Sequence, residues 1–188
     1  MKKVWIVLGV AVLALLFIGG TVVGIYNRLV TLNESVTTEW SQIDNQLQRR
    51  NDLIPNLVNT VKGYAKHEKE IFEDVANARA KLAGAGSVNE KLQANQQLEG
   101  ALSRLLAIAE QYPNLKANEN FIRLQDELAG TENRIAVARY RYNEVVRSYN
   151  IQIQRFPSNF IARMTGFGKK DVYFKAEDKA REVPNVQF

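Results

Sequence analysis

The chain has 188 residues, of which 24% are charged and 46% hydrophobic, with a formal charge of +5. That length leaves room for one ordinary domain beside a membrane segment, and the composition is that of a folded protein, which excludes a wholly disordered chain. With no cysteine and a single histidine, disulfides, thiolate metal sites, thiol nucleophiles, a lipidated cysteine and His-pair zinc motifs are excluded.

Lys2 and Lys3 precede Val4 to Ile25, VWIVLGVAVLALLFIGGTVVGI, which holds no ionisable side chain. At about 1.5 Å per residue this stretch reaches roughly 33 Å as a helix, the thickness of a bilayer's hydrocarbon core. A signal peptide has a shorter apolar region that ends in small residues. Here the apolar character continues past Gly19 and Gly20 through Val22, Val23 and Ile25, which predicts an uncleaved transmembrane helix over 4–25. Cleavage and release of a secreted, soluble binding protein is the alternative. Trp5 and Tyr26 stand where interfacial aromatics are expected. The two lysines put residues 1–3 in the cytoplasm and the body outside the bacterial inner membrane, against only Arg28 on the other flank.

From residue 26 to 154 the charges cancel, and the tail from Arg155 onward carries +3. The body therefore offers no positive surface of the kind that binds nucleic acid. Its apolar residues recur at steps of three and four. One seam runs Val36, Trp40, Ile43, Leu47, Arg50, Ile54, Leu57, Val61, Tyr64, Glu68, Ile71, Val75, Ala78 and Leu82; only Arg50 and Glu68 interrupt it. This register predicts one long helix, kinked at Pro55 or broken near Asn51-Asp52. Gly84-Ala85-Gly86 ends it, and Ser87-Val88-Asn89-Glu90 is a capping box that opens the next helix, which Pro113 stops. Leu98, Leu102, Leu105 and Ala109 form that helix's seam. A third helix begins near Asn118, with a seam from Phe121 through Leu128, Ile135, Tyr142 and Tyr149 to Phe156. The predicted fold is all-α: a transmembrane helix, then an antiparallel bundle of long helices over 26–156. Helices of such unequal length leave part of a seam uncovered, so either Pro55 folds the first helix in two or another copy of the chain covers the seam; the reading favoured is a homo-oligomer.

Two groups of residues stand out as candidate sites. Asp44, Arg50, Asp52, Asn56 and Glu68 lie on or beside the first seam. A charge facing a core needs a partner, and Glu132, Arg139 and Glu144 of the third helix are within reach. The alternative is a polar site that holds a charged group of another protein. In the tail (157–188, with a short helix), Phe156, Phe160, Ile161, Met164 and Phe167 stand at helical spacing before Lys169 and Lys170, a pattern suited either to an anionic membrane surface or to capping the bundle. His67 with its acidic neighbours Glu68, Glu70, Glu73 and Asp74 is the one constellation on which a hydrolase or metal-dependent enzyme would be built. Its ordinary reading is a solvated helix face. Glycine-rich phosphate loops and G-x-S-x-G are absent. Neither a catalytic residue, a cofactor nor a metal is predicted.

Asp44, Arg50-x-Asp52-Leu53-Ile54-Pro55-Asn56-Leu57-Val58, Val61-Lys62-Gly63-Tyr64-Ala65 and His67-Glu68 together resemble the signature of the LemA family. Tyr26-Asn27-x-Leu29-Val30, Trp40, Tyr112-Pro113-x-Leu115-Lys116, Tyr142-Asn143, Tyr149-Asn150, Phe156-Pro157 and Pro184-Asn185-Val186-Gln187-Phe188 fit it as well. The resemblance implies a bacterial, membrane-anchored, antiparallel helical protein with no established enzymatic activity and no catalytic residues to carry over. It also implies a role like that of relatives in magnetosome membrane formation, with the lipid bilayer and TPM-domain proteins or metallopeptidases as partners. The reading that follows is a non-enzymatic, membrane-anchored scaffold or interaction protein.

Overall fold

A computed structural model describes residues 2–174. The rest of the tail, with the closing Pro184–Phe188 motif, and Met1 lie outside the described residues. Every regular element among those described is a helix: α1 (Lys2–Lys62), α2 (Lys69–Gly84), α3 (Val88–Ile108), a 3-10 turn (Ala109–Gln111), α4 (Pro113–Lys116), α5 (Glu119–Gln154) and α6 (Ser158–Met164). The chain divides into two compact units, residues 41–139 and residues 1–40 with 140–188. α1 and α5 contribute to both.

The 41–139 unit is an up-down-up-down four-helix bundle, and its side-chain pairs give the directions. Lys62 sits 5.3 Å from the ring centroid of Phe72 and Arg79 reaches the Asn51 carbonyl at 3.3 Å, so α1 and α2 run antiparallel. Asp74–Arg104 at 2.9 Å and Lys81–Gln97 at 3.0 Å do the same for α2 and α3. Asp44–Lys91 and Arg50–Glu99 place α3 parallel to α1, and Arg50–Glu132 with Tyr64–Asn118 sets α5 against α1. Ile54, Leu57 and Val61, Phe72 and Val75, Leu98 and Leu105, and Phe121 and Leu128 meet in the core, the arrangement expected when apolar stripes at period 3.6 close on one another.

The break in the first seam differs from the expected one. α1 continues through Pro55 and ends at Lys62; Gly63–Glu68 makes the turn that produces a separate α2. Proline at 55 leaves the carbonyl of residue 51 without its helical donor. Arg79 Nε donates to that carbonyl, so the missing helical bond is replaced from α2 and the helix passes the proline. Gly63 follows the last helical residue, and the Tyr64 and Ala65 amides close back on the Val61 carbonyl at 3.0 and 2.9 Å. The turn also changes the register: Ala65 and Phe72 are buried, while Tyr64 is exposed and Ile71 half-buried. The extra helix also removes the length mismatch from which an uncovered seam was inferred. Val36, Ile43, Leu47, Ile54, Leu57 and Val61 are all buried within the chain.

Pro113 opens α4 at its first helical position rather than ending a helix, where its missing N–H costs nothing. On α5 the buried set follows the expected seam as far as Tyr142, then moves to Val146, Tyr149 and Ile153, leaving Val145 half-buried and Phe156 exposed. A straight α-helix drifts by about 20° per heptad relative to a 3.5-residue repeat, and α5 spans 36 residues.

The capping box is present. Ser87 Oγ accepts from the Glu90 amide at 3.2 Å, and the Glu90 carboxylate accepts from the amides of Gly86 and Ser87 at 2.8 and 3.2 Å. Those amides, Gly86 first, hold Glu90 below the usual carboxylate range. The stability it contributes is present above the unfolded pKa and is lost as pH falls through the lowered one. Ser87→Ala is expected to lower the unfolding free energy by about 1 kcal/mol in urea titration; an unmoved midpoint would show that the cap carries no stability.

The other unit contains residues 2–40 of α1, α5 from Tyr140, α6 and the non-helical segment 165–174. Residues 2–24 are exposed throughout, although nearly all are apolar. α1 is the one described helix long and apolar enough to cross a membrane. Further along the chain, Leu29, Val36, Tyr142, Val146, Tyr149 and Ile161 are buried.

Candidate functional site

The five polar candidates do not form one site. Arg50, 4% exposed, directs one guanidinium nitrogen to Asn95 (3.4 Å) and Glu99 (3.2 Å) and the other to Glu132. Arg139 meets the same Glu99 oxygen at 3.3 Å, and Asn95 donates to it at 2.6 Å. Asp44 pairs instead with Lys91, Asp52 accepts from Gln48 at 2.9 Å, and Asn56 is exposed. Glu68 accepts from the Tyr112 hydroxyl at 3.5 Å. Glu132 was within the expected reach of Arg50; Glu144 instead pairs with Arg147 at 3.8 Å. Asn95 and Glu99 come from α3, which a seam-by-seam reading of α1 and α5 does not address. The signal available in the sequence is their i,i+4 spacing beside the Leu98–Leu102 seam.

His67 is exposed in the turn after α1. The acidic residues around it turn to other partners: Glu73 to Lys69 at 3.7 Å and Asp74 to Arg104 at 2.9 Å. Among the described residues no three His, Asp or Glu side chains converge as a metal site would need. An open groove of about 430 Å³ between α2 and α3 is lined by Asp74, Lys81, Gln97 and Arg104, whose charged and amide groups bridge one another across it.

A second arrangement was missed in the sequence. Tyr142-Asn143 and Tyr149-Asn150 repeat at seven residues, which puts both pairs on one face of α5 about two turns apart. Asn143 donates to the Phe174 carbonyl at 2.9 Å and accepts from the Phe174 amide at 3.0 Å. Asn150 does the same with Lys170, at 2.7 and 2.9 Å, and also donates to the Tyr173 hydroxyl at 2.8 Å. Each amide thus satisfies both backbone groups of one tail residue. Four extended residues cover about 13 Å and seven helical ones about 10.5 Å, so the two clasps are nearly commensurate. The tyrosines complete the clamp. Tyr149 donates to the Gly168 carbonyl at 2.9 Å, and Tyr142 lies edge-on to Phe174 at 5.5 Å, with Trp40 stacked on the same ring at 6.3 Å. Burial raises the pKa of both phenols, with the charge of Tyr173 adding to the effect at Tyr142.

The tail candidates separate into two directions. On α6 Ser158, Ile161 and Ala162 are buried, whereas Phe160 and Met164 are 59% and 86% exposed, and Phe156 just before the helix is 81% exposed. Ile161 therefore leaves the expected apolar stripe, because it sits about 100° around the helix from Phe160. Gly166, at φ 78°, ends α6 in the left-handed conformation, and the Phe167 amide closes on the Ala162 carbonyl at 2.9 Å. That turn brings the Phe167 ring 6.0 Å from Tyr26. Lys169 pairs with Asp171 at 2.9 Å, whose hydrogen bond and charge raise its pKa, and Lys170 lies 5.9 Å from the Tyr149 ring.

The chain is 30% identical to magnetosome protein MamQ of Magnetospirillum gryphiswaldense, over 97% of this chain and 76% of that protein. It is 29% identical to magnetosome protein MamQ 1 of Paramagnetospirillum magneticum (94% and 74%) and 26% identical to protein LemA of Metamycoplasma hominis (87% and 73%). The family model described as the LemA family matches residues 39–188, from just before Trp40 through the Arg50 network and the tail clamp, and the chain accordingly belongs to the LemA family.

Proposed function

We propose that this protein is a non-enzymatic scaffold, held by α1 in the bacterial cytoplasmic membrane with its N-terminus inside, that self-associates and organises a membrane or a membrane protein complex. The observation that carries the reading is the exposed apolar rod of residues 2–24, continuous with a helix whose later turns are packed. Burying one large apolar side chain is worth about 1.5–3 kcal/mol, so a row of them left in water is far less stable than the same row in lipid. Kinship with proteins named for the magnetosome supports a role at a membrane. TPM-domain proteins or metallopeptidases are the partners that the family resemblance suggests.

The absence of cysteine makes the test direct. Full-length protein is expected to stay in the pellet after alkaline carbonate extraction and to keep its N-terminus by intact mass. A single cysteine replacing exposed Asn45 is expected to react with an impermeant maleimide in cells whose outer layer has been opened. A processed, extractable product would establish the secreted alternative, and protection of that cysteine would reverse the topology. Crosslinking in native membranes tests self-association and identifies the other partners.

A further inference from the structure

Within the unit that contains the span, α1 and α5 run antiparallel. Trp40 meets Tyr142 with ring centroids 6.0 Å apart, and Tyr26 meets Phe167 at the same distance. Twelve residues from the first pair, toward the span on α1 and toward the end on α5, lie Arg28 and Gln154, both about 18 Å away along their helices. Residues 155–167 therefore fall level with the point where α1 leaves its apolar stretch. At that level Phe156 and Phe160 pack edge to face at 6.0 Å and remain exposed, as does Met164 one turn further on. α6 turns Ser158, Ile161 and Ala162 inward, so Phe160 and Met164 stand with Arg163 on its outward face, and exposed Phe156 immediately precedes the helix. Residues 145–168 hold three basic side chains and no acidic one, while Lys169 is balanced by Asp171, and on α1 the first acidic residue is Glu34.

We infer that the 155–167 segment is a second membrane contact. Phe156, Phe160 and Met164 enter the headgroup–acyl boundary of the leaflet from which α1 emerges, and Arg155 and Arg163 bind its anionic headgroups. Amphipathic segments bind bilayers in this way, by apolar burial joined to attraction for anionic lipid. The contact rests on the anchored reading of α1. It would fix the tilt of the adjoining helices against the bilayer, which a single span leaves free.

Nitroxide labels on single cysteines test it in the full chain, reconstituted into phosphatidylcholine–phosphatidylglycerol vesicles. Labels at Phe156→Cys, Phe160→Cys and Met164→Cys are expected to be several-fold more accessible to oxygen than to a water-soluble nickel chelate, like a label at Phe17→Cys in the span. Labels at Glu34→Cys and Arg147→Cys should show the reverse. If the three tail labels match Arg147→Cys while Phe17→Cys stays in lipid, the tail contact is overturned and the anchor stands. Immobilised tail labels shielded from both reagents would mean that protein covers the face, which also overturns the contact. A water-exposed Phe17→Cys label overturns the anchor itself and the inference with it.

Discussion

Arg50→Glu is expected to abolish the cooperative unfolding transition of the 41–139 bundle. Arg50 is 4% exposed and lies between Glu99 and Glu132, so the change puts a third carboxylate where a cation offsets two. Breaking a buried ion pair by removing one partner costs about 3–5 kcal/mol, and reversal adds repulsion to that loss. Domains of this size are stable by about 5–15 kcal/mol in total. Arg50→Met should be milder, because Glu132 is 45% exposed and Glu99 retains Arg139 at 3.3 Å; water and the second guanidinium then compensate part of the charge. Adding Glu132→Gln to Arg50→Met should recover much of the stability, since Glu99 keeps Arg139 and no carboxylate of the cluster is then left without a cation. Circular dichroism with urea titration reads all three variants. A normally folded Arg50→Glu protein that fails to crosslink its partners would instead identify Arg50 as part of a binding site.

Removing the tail clamp should have the next largest effect, and a local one. Asn143→Ala with Asn150→Ala deletes five hydrogen bonds to the 170–174 segment. At about 0.5–1.5 kcal/mol net for each bond, the local opening free energy should fall by about 3 kcal/mol or more. Since about 1.4 kcal/mol is a factor of ten, hydrogen exchange at the Lys170 and Phe174 amides should speed up by roughly a hundredfold or more. Exchange in the α2 and α3 core should not change. Unchanged exchange at Lys170 would show that the rings of Trp40, Tyr142 and Tyr149 suffice to hold the tail. Asn150→Asp is a sharper variant. It keeps the acceptor for the Lys170 amide but places a carboxylate against the Lys170 carbonyl, and it should release the tail nearly as far as alanine does.

These two expectations draw on different amounts of sequence information. That Arg50 needed a partner was legible, because a cation in an apolar seam has few stable alternatives, and Glu132 stood beside the seam of the third helix. Glu99 and Asn95 were not, since the apolar spacing of α3 marks its core stripe and carries no sign of which polar neighbours face α1. The clamp is visible in the sequence only as two Tyr-Asn pairs seven residues apart, which carry part of the family resemblance. Nothing in a dipeptide says that its amide will meet a backbone twenty or thirty residues downstream.

The amino-acid pattern alone determined that the body is helical, where the apolar span lies, where the capping box begins α3 and which residues seal the centre of the bundle. Each of these depends on spacing within one segment, at 3.6 residues per turn, and on the exclusion of apolar surface from water. Tertiary structure decided the rest. It carried α1 past Pro55 because Arg79 satisfies the Asn51 carbonyl, placed the break at Gly63–Glu68, and turned Ile161 inward while Phe160 faces out. Such outcomes depend on which group arrives from another helix to meet an orphaned carbonyl, a buried charge or an open face. Periodicity along one segment carries no record of that arrival.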